Sequence, residues 1–482
     1  MEENNLKVTN LRWYPVYHIA APAGWVNDPN GFCFFGGQYH FFYQHYPYGV
    51  EWGPMHWGHV VSKDLVHWEH LPIALFPDKD YDNDGVFSGS GIEKDGKFYL
   101  MYTGNMSVPE DQHFQKQCLA VSDDGVNFTK SEKNPIIDAP ENIDMSACDF
   151  RDPKVWKHGK KFYAVLGSKT ADGQRGEILL YESKDLENWT FKNISARSEG
   201  NQGKMWECPN FARVGGKDVL IMSPMEIAPE GNKFLNNVDV IYTVGKLDYD
   251  TGIFEHGDFE LLDYGFDFYA PQITKVPDGR NIFIGWLQMW NVPQPEQADG
   301  WAGLMTVPRE LKMKGDKVFT PPIEELKKLR KGKKTYKNLS IDEETEIKGV
   351  SGDSCELCVK VNLSKSKKFS IGLRGTAKIS FDAENGILKF IRDAAENEAL
   401  AGEREVQISP CTKLNLRIYI DKSSVEIFVN DGEKVLSGRI YPRATSQEII
   451  FIPEEKIFGK KFFEIEEINF YTLAQSIPNP KM

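Results

Sequence analysis

The last 181 residues of this 482-residue chain contain no tryptophan and no histidine, whereas the first 301 hold all 11 Trp and all 10 His. A composition break this sharp marks a domain boundary, and the length alone calls for more than one core. The chain also lacks a paired cysteine set. Its seven cysteines are an odd number, five of them isolated, and Cys355 and Cys358 have no second CxxC to complete four zinc ligands. They read as reduced thiols of a cytoplasmic protein. Basic excess is absent: 57 Lys and Arg against 70 Asp and Glu leave a net charge of −13. That argues against nucleic acid or an anionic membrane as partner. It favours neutral ligands, or anionic ones met by a local basic patch. No run approaches 18 apolar residues, so no membrane span is expected. The opening segment, MEENNLKVTNLRWYPVYH, has no apolar core of a secretory signal. Neither an EF-hand loop nor an HExxH pattern occurs, and neither metal nor cofactor is expected.

What is present is repetition. Hairpin-like segments recur as GGQYHFFYQ, DGKFYLMYTG, HGKKFYAVLG, GGKDVLIMSP and DGRNIFIGW, with turn glycines Gly37, Gly96, Gly159, Gly216 and Gly279 spaced 59, 63, 57 and 63 residues apart. A second element interleaves. Ser62-Lys-Asp-Leu-Val-His-Trp68, Ser122-Asp-Asp-Gly-Val-Asn-Phe128 and Ser183-Lys-Asp-Leu-Glu-Asn-Trp189 start 60 and 61 residues apart. These are read as structural turns in which Ser and Asp side chains bond nearby backbone N–H groups. Short aromatic and β-branched runs between Gly, Asp and Asn turns are strands. Five repeats of about 60 residues, each able to hold four strands, predict a radial array. The expected fold is all-β: a five-bladed β-propeller over residues 1–320, then a C-terminal antiparallel β-sandwich over 340–482. Between them, Pro321-Pro322 and the run IEELKKLRKGKK predict a linker with a short helix over 321–339, acidic at its start and basic at its end. The sandwich is expected from alternating strands such as AKISFDA and LNLRIYID and from the hairpin turn Val429-Asn430-Asp431-Gly432. A structural or homodimer-forming role is its default, a sugar-binding module the alternative.

Three acids stand just before proline: Asn27-Asp28-Pro29, Arg151-Asp152-Pro153 and, with one residue inserted, Glu207-Cys208-Pro209. They precede the turn glycines by 9, 7 and 9 residues. In a propeller the innermost strands flank the axis, so carboxylates at one repeat position converge at one mouth. Blades two and five are expected to offer Ser88 and Gln272 there, with Trp25, Trp52 and Trp206 nearby. Crowded, partly desolvated acids are unfavourable without a function, and acids with aromatic walls suit a carbohydrate.

The segments WVNDPNG (25–31), FSGS (87–90), RDP (151–153), ECP (207–209), GFDFYAPQ (265–272), GWAGLMTVPRE (300–310) and SSVEIFVNDG (423–432) resemble, in order, the signature blocks of glycoside hydrolase family 32. Val26 departs from the Met or Leu more usual there. The resemblance implies a β-fructofuranosidase with Asp28 as nucleophile, Glu207 as general acid/base and Asp152 as transition-state stabiliser. It implies a fructose pocket lined by Trp25, Asn27, Gln44, Trp52, Phe87, Ser88, Arg151 and Trp290. The substrate expected is a small carbohydrate: sucrose, sucrose 6-phosphate or a short fructo-oligosaccharide. Lys204 is the candidate partner for a phosphate. An inverting pentosidase on the same architecture and a non-catalytic sugar-binding propeller are the competing readings.

Overall fold

Five antiparallel sheets stand around one axis in the computed structural model, which describes every residue except 1–5, 109–111, 147, 316, 394–397, 455, 458–459 and 481. Their innermost strands are Gly24–Phe35, Val86–Lys94, Phe150–His158, Met205–Val214 and Tyr269–Lys275. Each of these touches the next, and the fifth touches the first, so the ring closes. In the first three blades three further strands zigzag outward behind the inner one. Apolar side chains fill the wedge between neighbouring sheets: Phe42, Trp57, Phe98 and Tyr102 between blades one and two, and Met101, Leu119, Leu166 and Leu179 between two and three. Each such side chain, fully buried, stabilises the ring by about 1.5–3 kcal/mol. A strand pairing also ties the ends of the ring: Trp301 and Ala302, in the chain between the second and third strands of blade five, pair in parallel with Gly24 and Trp25 of blade one.

The Ser-x-Asp repeats are turns, as expected. Asp64 Oδ1 accepts the N–H groups of Val66 and His67, Asp124 Oδ1 those of Val126 and Asn127, and Asp185 Oδ1 those of Glu187 and Asn188. The same chemistry ends the third strand of three blades.

All five inner strands are interrupted at an equivalent place. The ladder slips between Val26 and Pro29, between Phe87 and Gly89, between Arg151 and Lys154, between Glu207 and Asn210, and between Tyr269 and Gln272. Such bulges re-aim side chains next to functional sites. In blades three to five the residue before proline is left-handed: Asp152 (φ 63°), Cys208 (φ 45°) and Ala270 (φ 47°). Two residues further on, five polar side chains form a belt across the axis. Gly89 N–H donates to Asn30, Ser90 donates to Pro153 O, Asn210 donates to Pro271 O, and Gln272 donates to Gly89 O while accepting from Lys154. All five are buried.

The remaining chain folds as two six-stranded sheets packed face to face, with Leu357, Ile418, Phe369, Phe451 and Phe463 in the shared core. The Asn430-Asp431-Gly432 turn has positive φ at all three residues, as its hairpin requires. The expected linker helix is a correction. Only Glu324–Leu329 is helical, as a 3-10 turn, and Arg330–Ile341 is an edge strand of the sandwich paired with Phe463–Leu473. Lysine-rich edge strands resist further pairing, and that role imitates the charge gradient of a helix. Buried ion pairs fasten the domains together: Arg309 with Asp263 and Glu426, Arg439 with Glu296, and Arg392 with Asp267. No helix among the described residues is long and apolar enough to cross a membrane.

Candidate active site

A cavity of about 580 Å³ opens at the mouth formed by the bulged inner strands. Asn27, Asp28, Gln44, Trp52, Phe87, Ser88, Arg151, Asp152, Glu207 and Trp290 all line it. Trp25 stands behind them; its indole N–H donates to Asn27 Oδ1 at 2.8 Å. Trp290 packs against Trp25 and Trp286, and Trp52 stands edge-on to Phe87 at the exposed lip. Gln44 is fixed by donating to Val86 O of the next blade at 2.9 Å.

The acids are held in different ways. Asp28 accepts from Asn27 Nδ2 at 3.1 Å and from Ser88 Oγ at 2.7 Å. Asp152 Oδ2 accepts the Cys208 backbone N–H at 2.9 Å. The Cys208 thiol lies between them, 3.4 Å from Asp28 Oδ2 and 3.5 Å from Asp152 Oδ2. Glu207 Oε1 receives Arg151 through Nε at 3.0 Å and Nη2 at 2.8 Å, and Oε2 receives the Tyr269 hydroxyl at 2.5 Å. The other face of Arg151 donates to Asp149 at 2.9 Å and Gln115 at 3.1 Å. Burial raises the pKa of Asp28, with Glu207 adding to the rise and Ser88 opposing it. Burial also pushes Asp152 up to about 7; Arg151 opposes that, and Glu207 and Asp28 reinforce it.

Four expectations need correction. Glu207 does not share the position of Asp28 and Asp152; Cys208 does, and Glu207 aligns with Asn27, Arg151 and Tyr269 one residue earlier. The inserted residue is therefore the equivalent of the other two acids, which is why its sulfur meets both. Blade five offers Ala270 at that position, while Gln272 belongs to the belt below. Trp206 faces away from the cavity: strand alternation turns its indole onto Gly176 and Phe259, fully buried. Lys204 lies outside the cavity lining and pairs with Glu226 at 2.9 Å.

The lining residues Asn105, Gln115, Cys148 and Asp149, and the Glu207 partner Tyr269, went unread in the sequence. Tyr269 was within reach, because it precedes Ala-Pro as Glu207 precedes Cys-Pro. Asn105 and Gln115 sit on outer strands of blade two, with no repeat position to flag them.

Two family models match the chain: "Glycosyl hydrolases family 32 N-terminal domain" over residues 18–322 and "Glycosyl hydrolases family 32 C terminal" over 325–471. A sucrose-6-phosphate hydrolase of Escherichia coli is 38% identical over 447 residues, 91% of each chain. A raffinose invertase of the same species is 39% identical over 443 residues, again 91% of each. Among solved structures, a sucrose-6-phosphate hydrolase from Lactobacillus gasseri superposes with a TM-score of 0.88 at 30% identity, covering 97% of this chain and 95% of its own. A Bombyx mori GH32 beta-fructofuranosidase variant in complex with sucrose gives 0.85 at 36% identity, covering 98% and 96%.

Proposed function

Since the chain belongs to glycosyl hydrolase family 32, we propose that it is a retaining β-fructofuranosidase that splits the fructosyl bond of sucrose through a covalent fructosyl-enzyme. The observation that carries this reading is the convergence of Asp28, Asp152 and Glu207, from three blades, in one cavity of sugar size. Asp28 attacks the anomeric C2 of the fructosyl unit, with Ser88 and Asn27 fixing its two oxygens. Glu207 gives a proton to the departing glycosidic oxygen, then takes one from the water that releases fructose. Asp152, locked by the Cys208 N–H, binds fructose hydroxyls. Trp52, Phe87 and Trp290 supply apolar walls, with Trp25 behind them. This reading places the enzyme in the cytoplasm, in keeping with seven unpaired thiols.

Sucrose is favoured over its 6-phosphate. The cavity lining carries Asp28, Asp149, Asp152 and Glu207 against Arg151 as the sole cation among the described residues, and Arg151 is already bonded to two of them. With Asp149 also paired to Lys169 at 2.7 Å, the described lining residues offer no uncommitted cation to a phosphate dianion. A kcat/KM panel over sucrose, sucrose 6-phosphate, kestose, inulin and levan tests this, with sucrose expected to lead the 6-phosphate. NMR of the first-formed fructose is expected to show the β-anomer; the inverted anomer would favour the pentosidase-type mechanism and end the covalent one.

Removing the Tyr269 hydroxyl takes one charge-assisted hydrogen bond from Glu207. Such bonds are worth about 1.5–3 kcal/mol, so Tyr269→Phe is expected to lower kcat/KM about ten- to hundredfold with the fold intact by circular dichroism. An unchanged kcat/KM would leave Tyr269 a packing residue only.

The raised carboxyls fix the sign of two pH effects. Asp28 and Asp152 act ionised, so kcat/KM is expected to fall on acidification with a midpoint well above the ordinary carboxylate value of about 4. The folded state also binds more protons than the unfolded one between about pH 4 and the Asp152 value of about 7. Stability therefore drops as pH rises through that window. Asp152→Asn relieves the drop: its unfolding midpoint should exceed wild type by at least about 1 °C at pH 8, with no gain at pH 4. A variant destabilised equally at both pH values would contradict this.

A further inference from the structure

A second cavity, about 590 Å³, lies where the N-terminal segment, the 3-10 turn Pro295–Asp299 and the sandwich meet. Three of its lining residues, Arg12, Arg374 and Arg443, are arginines and none is acidic, the reverse of the chain's overall balance. The three guanidiniums are held differently. Arg12 bonds Asp299 at 2.8 Å and stacks on Trp13, 3.9 Å from the ring centroid. Arg374, in the turn between Lys368–Leu373 and Ala377–Asp382, is 1% exposed. Its Nε donates to Ser446 O at 2.9 Å, and its Nη1 to Asp421 O and Lys422 O at 3.1 and 2.8 Å. Among the described residues it has no carboxylate partner, and its Nη2 makes no hydrogen bond. Burial lowers its pKa in spite of the nearby charges of Asp353, Asp421 and Glu448. Arg443 is exposed, and its side chain has neither ion pair nor hydrogen bond among the described residues. The Thr376 hydroxyl, on a residue 8% exposed, is buried without a partner in the same wall.

Buried charges in proteins are ordinarily paired. A guanidinium bonded to carbonyls alone, in the wall of a cavity that a second uncommitted guanidinium also lines, offers the planar donor edge that binds phosphoryl oxygens. Two unpaired cations match a dianion better than a carboxylate, and the volume exceeds that of a bare phosphate. We propose that this cavity binds a phosphomonoester of sugar size, its phosphoryl group held by Arg374 and Arg443 with Arg12 at the rim.

Isothermal titration calorimetry of the full chain decides it, using glucose 6-phosphate and inorganic phosphate as probes, at constant ionic strength and with saturating fructose to occupy the propeller pocket. Glucose 6-phosphate is expected to bind one per chain and to be displaced by inorganic phosphate, since the phosphoryl group is what the arginines recognise. Binding should weaken at least tenfold in Arg374→Gln. Arg443→Gln, at an exposed position that does not endanger folding, should weaken it severalfold, with circular dichroism unchanged. No heat from either probe, an affinity equal to wild type in Arg443→Gln, or bound glucose 6-phosphate that phosphate cannot displace would each overturn the proposal.

Discussion

Replacing Asp28 by asparagine is expected to lower kcat on sucrose by about 10⁴- to 10⁶-fold, the range seen when an attacking residue is removed. The amide has nearly the size of the carboxylate and can still accept from Ser88 Oγ, which lies 2.7 Å from Asp28 Oδ2. Pocket shape and KM should therefore change little, leaving the loss in the chemical step. Asp28 is half-buried, and its raised pKa reports how unfavourable the charge is there; the neutral variant should fold at least as well as the parent. Glucose release in a coupled assay gives the rate. A rate within tenfold of the parent would remove Asp28 from the reaction.

Glu207→Gln should cost about 10²- to 10⁴-fold with sucrose, the usual contribution of a positioned proton donor. The loss should shrink for an aryl fructoside, whose leaving group needs no proton, because Asp28 can still form the fructosyl-enzyme. Azide should then restore turnover by replacing the water that glutamine cannot activate. This pattern separates Glu207 from the residues around it. Arg151 and Tyr269 act through Glu207, holding its two oxygens from opposite sides, so their replacement should likewise cost less on the aryl fructoside but, with the carboxyl still in place, gain nothing from azide. An equal loss on both substrates in Glu207→Gln, without azide rescue, would contradict the assignment.

The five-fold repeat was legible because each blade spends a glycine on the same hairpin turn, and Gly37, Gly96, Gly159, Gly216 and Gly279 all have positive φ. The acids were legible because proline follows the bulge position in four of the five strands. What escaped was register within the bulge: sequence spacing alone could not tell that Cys208, rather than Glu207, stands level with Asp28 and Asp152. It also could not turn Trp206 inward, since strand alternation is only as good as the register from which it is counted. The Arg330–Ile341 strand was hidden for a different reason. Its lysines serve an exposed sheet edge, and a basic run at a sheet edge and one at a helix end read the same in one dimension. Asn105, Gln115 and Asp149 reach the pocket only through tertiary placement.

The belt of Asn30, Ser90, Lys154, Asn210 and Gln272 makes the catalytic chamber a cul-de-sac. With the axis crossed by this belt, a polymer is not expected to thread through and be processed along its length; a chain terminus is what should reach the acids. On the proposed reaction each freed monosaccharide would have to back out the way it came before the next encounter, so distributive turnover and direct competition by fructose are expected.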